Sequence, residues 1–361
     1  IVEARADISE PDRFTELETS TGIADGGGEL IYTDLLQEQT RDSRTLNLTQ
    51  RVSVTQPLGE LAVMEVFGER RTVDEDETYT VYDLESGTPV LNDRLTEGFE
   101  RSYSYLEGGF RLSRNREASR VTLGLELQSS NLEGTILDRD ETIENSFTHV
   151  LPSATLRYQF GDAKTWSLNY RTRTREPSLT QLQPFEDNTN PTRLYEGNPD
   201  LIPSYTHSVS TDYRFFDQFS FVNLFANARL SYTTNPIVNS RTIDDRAIQT
   251  IRPINIENSW TASAGINYGQ PIRRIGAEME VEYGVSYSRD VEVLNDEENR
   301  SRVLRNSVDV SLENRNQEVF EVRAGAEFGF NDVEYTLNQE LNAPAHTVSL
   351  DDAHDRTDPV Q

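Results

Sequence analysis

Residues 275–287, IGAEMEVEYGVSY, alternate without a break. Ile275, Ala277, Met279, Val281, Tyr283, Val285 and Tyr287 take every second place, and Gly276, Glu278, Glu280, Glu282, Gly284 and Ser286 fill the gaps. Successive side chains of a strand point to opposite faces, so a period of two means one apolar face and one wet, acidic face. Residues 259–268 repeat the pattern, with Trp260, Ala262, Ala264, Ile266 and Tyr268 opposite Ser259, Thr261, Ser263, Gly265 and Asn267. So do residues 222–232, where Leu224, Ala226, Ala228 and Leu230 face away from Asn223, Asn227 and Arg229. Further out, Phe320, Val322, Ala324, Ala326 and Phe328 alternate with Glu321, Arg323 and Glu327, and Val121, Leu123, Leu125 and Leu127 with Thr122, Gly124, Glu126 and Gln128. Helical spacing is hard to find, and the chain reads as all-β.

The length of these alternations separates the ways of packing strands. They run for about 10 to 15 residues, whereas strands of globular proteins are mostly nearer 5 or 6. About 9 to 11 tilted residues cross a bilayer. Aromatic residues also close the ends of the apolar faces, as Trp260 and Tyr268 do, in the manner of the rings at the two edges of a membrane. The expectation is an antiparallel up-and-down transmembrane β-barrel. Ala and Gly on the faces also suit packed sheets, so a secreted acidic β-sandwich that binds glycans is the competing fold.

Composition narrows the function classes. Over 361 residues the formal net charge is −28 and apolar residues make up 35%, which in a soluble chain leans toward disorder. Fifteen Tyr, fifteen Phe and two Trp oppose that reading. The absence of cysteine removes disulfides and thiolate metal sites. No stretch of 18 apolar residues predicts a membrane helix, although a barrel gives a weaker hydropathy signal. The chain opens on Ile1 with neither a basic n-region nor an apolar h-region, so a targeting signal is expected outside this segment. Strong negative charge opposes nucleic-acid binding.

His149, His207, His346 and His354 are scattered without metal-ligand spacing, and Gly26-Gly27-Gly28 lacks a following helix that would make it a phosphate cradle. The acidic run Asp74–Glu77 has no EF-hand spacing or ligand-turn glycine, and reads as a solvated loop in preference to a divalent-cation site. No serine elbow or carboxylate pair stands out. An enzyme, a resident metal and a cofactor are not expected.

The connections carry more than the strands. Tight polar turns fall near 57–59, 114–116, 161–163, 217–218, 269–274 and 314–316, and between them lie long polar connections at 71–98, 130–146, 175–205, 234–257 and 289–301. Short and long alternate throughout, as in outer-membrane barrels with short periplasmic turns and long extracellular loops. Six hairpins make about twelve strands. The ends, 1–42 and 333–361, read as loop-like parts of the same single domain.

One strand stands out chemically. Residues 165–175 place Trp166, Leu168 and Tyr170 on one face and Asn169, Arg171, Arg173 and Arg175 on the other. If the first face meets lipid, the arginines line the lumen. There they can bind an anionic solute, dock against the Glu278, Glu280, Glu282 stripe, or serve as the charge-balanced wall of a wet interior.

The strand leads into Glu176-Pro177-Ser178, then Gln181, Pro184, Asp187-Asn188, Asn190-Pro191, Gly197-Asn198-Pro199, Leu201 and Pro203. Together with the upstream Leu48-Thr49-Gln50-Arg51-Val52-Ser53-Val54-Thr55-Gln56-Pro57-Leu58-Gly59, this series resembles the TonB-dependent receptor barrels of the Bacteroidetes type, the outer membrane protein beta-barrel family. The similarity spans about residues 43–332.

That resemblance implies a 22-stranded barrel in the outer membrane of a Gram-negative bacterium. It implies an N-terminal plug and uptake of a scarce small ligand, such as a siderophore, cobalamin, glycan or peptide, driven through the TonB complex. Neither a plug nor a TonB box is identifiable between residues 1 and 361, and the expectation is a piece of a longer receptor. A complete smaller barrel acting as pore, adhesin or scaffold is the alternative. Within the loop, Glu176, Pro177, Ser178, Gln181, Pro184, Asp187, Asn188, Gly197, Asn198 and Pro199 are expected to be structural. Asx and proline residues there fix turns and bond their own backbone.

Overall fold

The computed structural model describes residues 1–10, 12–24, 30–84, 88–93, 95–137, 141–182, 186–187, 193–245, 248–314, 321–337 and 345–355. Those residues form one large, predominantly antiparallel sheet. The strands flanking the six expected turns are β3 (Leu30–Pro57), β4 (Ala62–Asp83), β6 (Glu97–Arg116), β7 (Ser119–Ile136), β8 (Glu141–Gln159), β9 (Lys164–Arg175), β12 (Ser204–Asp217), β13 (Val222–Thr234), β16 (Asn258–Ile272), β17 (Ala277–Leu294), β18 (Glu297–Asn314) and β19 (Glu321–Tyr335). Each pairs antiparallel with the next in that order.

The ends depart from the sequence expectation. β1 (Val2–Ser9) and β2 (Asp12–Ala24) lie in line along β3, and β20 (Ala345–Asp355) pairs with β19, so the segments expected to be loop-like extend the sheet on both sides. Among the described residues no pairing joins β20 to β1 or β2.

Five of the expected turns are tight, at residues 58–61, 117–118, 160–163, 218–221 and 273–276, and the sixth, at 315–320, lies outside the described residues. Gly59 (φ 80°) and Gly161 (φ 78°) supply the left-handed conformation in two of them. At the β12–β13 turn, Asp217 Oδ1 accepts from Phe219 N–H (3.0 Å) and Oδ2 from the Ser220 hydroxyl (2.6 Å). These bonds hold the Asp217 carboxyl below the usual aspartate range.

At the other end, three of the five connections expected to be long are mostly strand. β4 runs 22 residues, β6 20, β7 18 and β8 19, well past the span of a bilayer. β17 and β18 close on a two-residue turn, Asn295 (φ 50°) and Asp296 (φ 65°), the type that matches the twist of a hairpin. Backbone ladders need no apolar side chains, so the strands continue where the hydrophobic alternation stops. The 234–257 connection is itself a hairpin, β14 (Ile237–Ile243) and β15 (Gln249–Asn255). The 175–205 connection keeps a loop.

The sheet is inside out by the standard of a soluble protein. Its apolar face is the exposed one: Leu106 is 65% exposed, Phe110 46%, Leu123 50%, Leu125 41%, Leu127 54% and Phe328 51%. Such a continuous exposed patch marks a membrane-facing surface. At the turn end this face carries Phe160 against Tyr158, and the β12–β13 turn exposes Phe219 and Phe221; at the loop end it carries Tyr170, Tyr205, His207, Tyr232, Trp260 and Tyr287 in ring contact.

The opposite face holds the charge. Arg51 donates to Glu69 (3.0 Å) and Glu65 (3.4 Å), and Arg111 to Glu65 (3.1 Å) and Glu126 (3.5 Å), forming a chain of ion pairs across β3, β4, β6 and β7. The Arg51 guanidinium stacks 4.1 Å above the buried Phe67 ring.

Candidate functional site

The acidic run of β4 is not a solvated loop but part of this wall. Glu75 pairs with Arg101 and Glu77 with Arg41 (2.7 Å), while Asp74, on the other face, accepts from the Ser102 hydroxyl (2.7 Å). Glu75 and Glu77 thus have their charges matched within the wall.

Arg101 ties the loop to the wall. Its side chain is buried, one terminal nitrogen pairs with Glu75 and the other donates to the Pro177 carbonyl. Just beyond, α1 (Leu179–Leu182) begins with Ser178, whose N–H donates to Gln181 Oε1 (2.9 Å) while its hydroxyl accepts from Gln181 N–H (3.3 Å). This reciprocal cap is the Ser-x-x-Gln box of a helix start, readable in the sequence. Leu179, Leu182 and Leu201 pack on Phe99, Tyr103, Tyr105 and Leu132 of β6 and β7 in the largest buried cluster. The side chains of β6 alternate, so those rings share the charged face with Glu107 and Arg111, and the loop folds into the concavity.

The far half of the loop is held by the next hairpin. Asn198 Nδ2 donates to the Pro253 carbonyl (2.9 Å), its Oδ1 accepts from Asp200 N–H (3.1 Å), and its own N–H donates to the Gln181 carbonyl (2.7 Å). Gly197 is buried beside it, and β11 (Arg193–Glu196) pairs parallel with β15. Glu176 accepts from the Thr174 hydroxyl (3.3 Å) and lies against Tyr105. Burial and the Glu176 charge push the Tyr103 phenol up. Asp187 belongs to β10 (Glu186–Asp187), paired with β11, Pro199 sits in the turn before Leu201, and Pro184 and Asn188 lie outside the described residues.

The three arginines of β9 separate. Arg171 lines a hollow of about 440 Å³ on the charged face, and Arg173 and Arg175 do not, though both are exposed. Register brings to Arg171 residues far away in sequence. Arg171 is opposite Ser208, which is opposite Ser231; in the row below, Arg229 is opposite Ser263, Ser263 opposite Ser286, and Ser286 opposite Arg305. Arg229 and Arg305 are members that alternation alone could not assemble, because only pairing places β13 and β18 on the same wall as β9.

No carboxylate lines this hollow, and none of the three arginines makes an ion pair or side-chain hydrogen bond among the described residues. The Glu stripe is engaged elsewhere: Asn267 Nδ2 donates to Glu280 and Glu282, both at 2.8 Å. Glu282, Asp309 and Glu327 line a second hollow of about 470 Å³, four residues nearer the turn end of the strands. Docking of the β9 arginines on Glu278, Glu280 and Glu282 is therefore corrected. β9 lies four strand spacings, about 19 Å, from β17, beyond an arginine's reach.

Comparison with known proteins places this geometry. The sheet is similar to the copper transporter OprC, at 9% identity and a TM-score of 0.54, covering 98% of this chain and 61% of that one. It also aligns with the ferric citrate transporter FecA (10% identity, 91% of this chain and 53% of that one, TM-score 0.45) and with Pseudomonas aeruginosa FpvA (12%, 96% and 46%, TM-score 0.46). The chain thus spans roughly half to three-fifths of the length of these structures. No curated protein sequence matches. The model of the outer membrane protein beta-barrel family matches residues 4–346. With its apolar face turned out, its rims of aromatic rings and its charged concave wall, the chain belongs to the outer membrane protein beta-barrel family and resides in the cell outer membrane of a Gram-negative bacterium.

Proposed function

We propose that this chain is wall and loop of an outer-membrane receptor that takes up a scarce small ligand, with energy supplied through a plug domain and the TonB complex. The observation that carries the reading is that Pro177, Leu179, Leu182 and Leu201 of the 176–203 connection are held on Arg101 and the Phe99–Tyr103–Tyr105 ledge. A passive pore gains from an open lumen, whereas a receptor needs a fixed surface within it against which a ligand can be held. The unpaired arginines of the hollow add a cationic surface to a strongly acidic chain.

The test is growth and ligand accumulation by a strain deleted for the gene, complemented with the whole gene, in the presence and absence of TonB. Loss of accumulation in both deletions is expected, with growth impaired when the ligand, for example chelated iron, is scarce. Accumulation that persists without TonB would show a passive barrel.

A further inference from the structure

We infer that the arginine–serine wall binds an elongated, hydroxyl-rich polyanion, of the kind an acidic oligosaccharide presents; this rests on the uptake reading and names its substrate class. The argument is one of spacing. Neighbouring strands lie about 4.8 Å apart, so Arg171 and Arg229, separated by two spacings and one row, stand roughly 12 Å apart at their Cα atoms. Arg229 and Arg305, in one row and three spacings apart, stand about 14 Å apart. A compact anion can be reached by Arg229 and one neighbour, but not by Arg171 and Arg305 together, which stand five spacings, about 24 Å, apart. A chain bearing carboxylates at intervals meets all three.

The intervening positions fit such a chain. Ser208, Ser231, Ser263 and Ser286 stand between the arginines and, like them, make no side-chain hydrogen bond among the described residues. Hydroxyls both donate and accept, and so suit sugar hydroxyls. Arginine forks suit carboxylates. The contrast with the other half of the sheet supports a binding role: Arg51 and Arg111 are each shared between two glutamates, whereas these three make no ion pair among the described residues. The acidic hollow further down repels a polyanion and confines it to the arginine band.

The whole receptor, purified in detergent, is titrated calorimetrically with tetragalacturonate, with cellotetraose as the neutral counterpart and with inorganic phosphate. Tetragalacturonate is expected to bind at least about tenfold tighter than either, with affinity falling as salt rises. Arg229→Gln is expected to weaken binding roughly tenfold, and the triple Arg171→Gln/Arg229→Gln/Arg305→Gln roughly a hundredfold or more. Arg300→Gln, on the other face and paired with Glu298, leaves it unchanged. Heat-modifiable electrophoretic mobility confirms that each variant is folded.

Equal binding of cellotetraose, phosphate binding as tight as the oligomer's, no binding, or a folded triple variant that binds like wild type each overturns the proposal. The assay needs no energy source, so arginine-dependent binding beside TonB-independent accumulation would sink the uptake reading alone. TonB-dependent accumulation without arginine-dependent binding would sink the ligand class alone.

Discussion

Arg101 shows how one side chain decides where a long loop goes. Its guanidinium is buried between the Glu75 carboxylate and the Pro177 carbonyl, with the ring of Tyr103 5.5 Å from its centre. Arg101→Met keeps the apolar stem but leaves Glu75 without its cation, and breaking a buried pair costs on the order of 3 kcal/mol. The expected outcome is release of the loop with the barrel intact: faster protease cleavage within 176–203 and unchanged heat-modifiable mobility. A cleavage rate equal to wild type would remove Arg101 from this role. The cap made by Ser178 and Gln181 has a local signal, which the all-β reading passed over. Arg101, Arg229 and Arg305 were not legible, because Arg101 depends on a partner 76 positions away and the other two on register across several strands.

At the scale of the element, alternation identified the strands and their lipid face wherever the bilayer imposes a period of two. Beyond the bilayer that constraint lapses, and the extensions of β4, β6, β7 and β8, with β1, β2 and β20, carried no hydrophobic signal. The turns were legible because backbone conformation is a local requirement: Gly59 and Gly161 mark two of them. Two other glycines have a packing role that differs between them. A Cβ at Gly109 would meet the backbone carbonyl of Leu125 at 2.7 Å and Cα of Glu126 at 3.0 Å, so alanine there forces β6 and β7 apart. At Gly124 the obstruction is the Ser153 hydroxyl, which can rotate away. Gly109→Ala is therefore expected to destabilise the folded barrel by about 1–3 kcal/mol and Gly124→Ala by less than half of that. Urea titration of the two variants in lipid vesicles checks the order, and equal losses would contradict it.

For the whole molecule, the membrane and sandwich architectures assign opposite fates to the same face. Leu125 is 41% exposed between Leu123 and Leu127, and Glu126, on the other side of the sheet, is joined to Arg111. In a water-soluble sandwich an exposed leucine is replaceable, and Leu125→Arg would change stability by no more than about 0.5 kcal/mol. In a bilayer the same substitution puts a guanidinium into hydrocarbon at a cost of about 2–4 kcal/mol near the midplane. Leu106→Arg, at the border toward the loop end, costs about 0–1 kcal/mol because its side chain reaches the interface. The expected result is a gradient along the strands in folded protein recovered from outer membranes, with the largest loss at Leu125 and little at Leu106. In detergent, where a guanidinium can reach water around the micelle, the difference should shrink. A flat profile in membranes would mean that this face does not meet lipid, and the arginine wall opposite would no longer be a lumen.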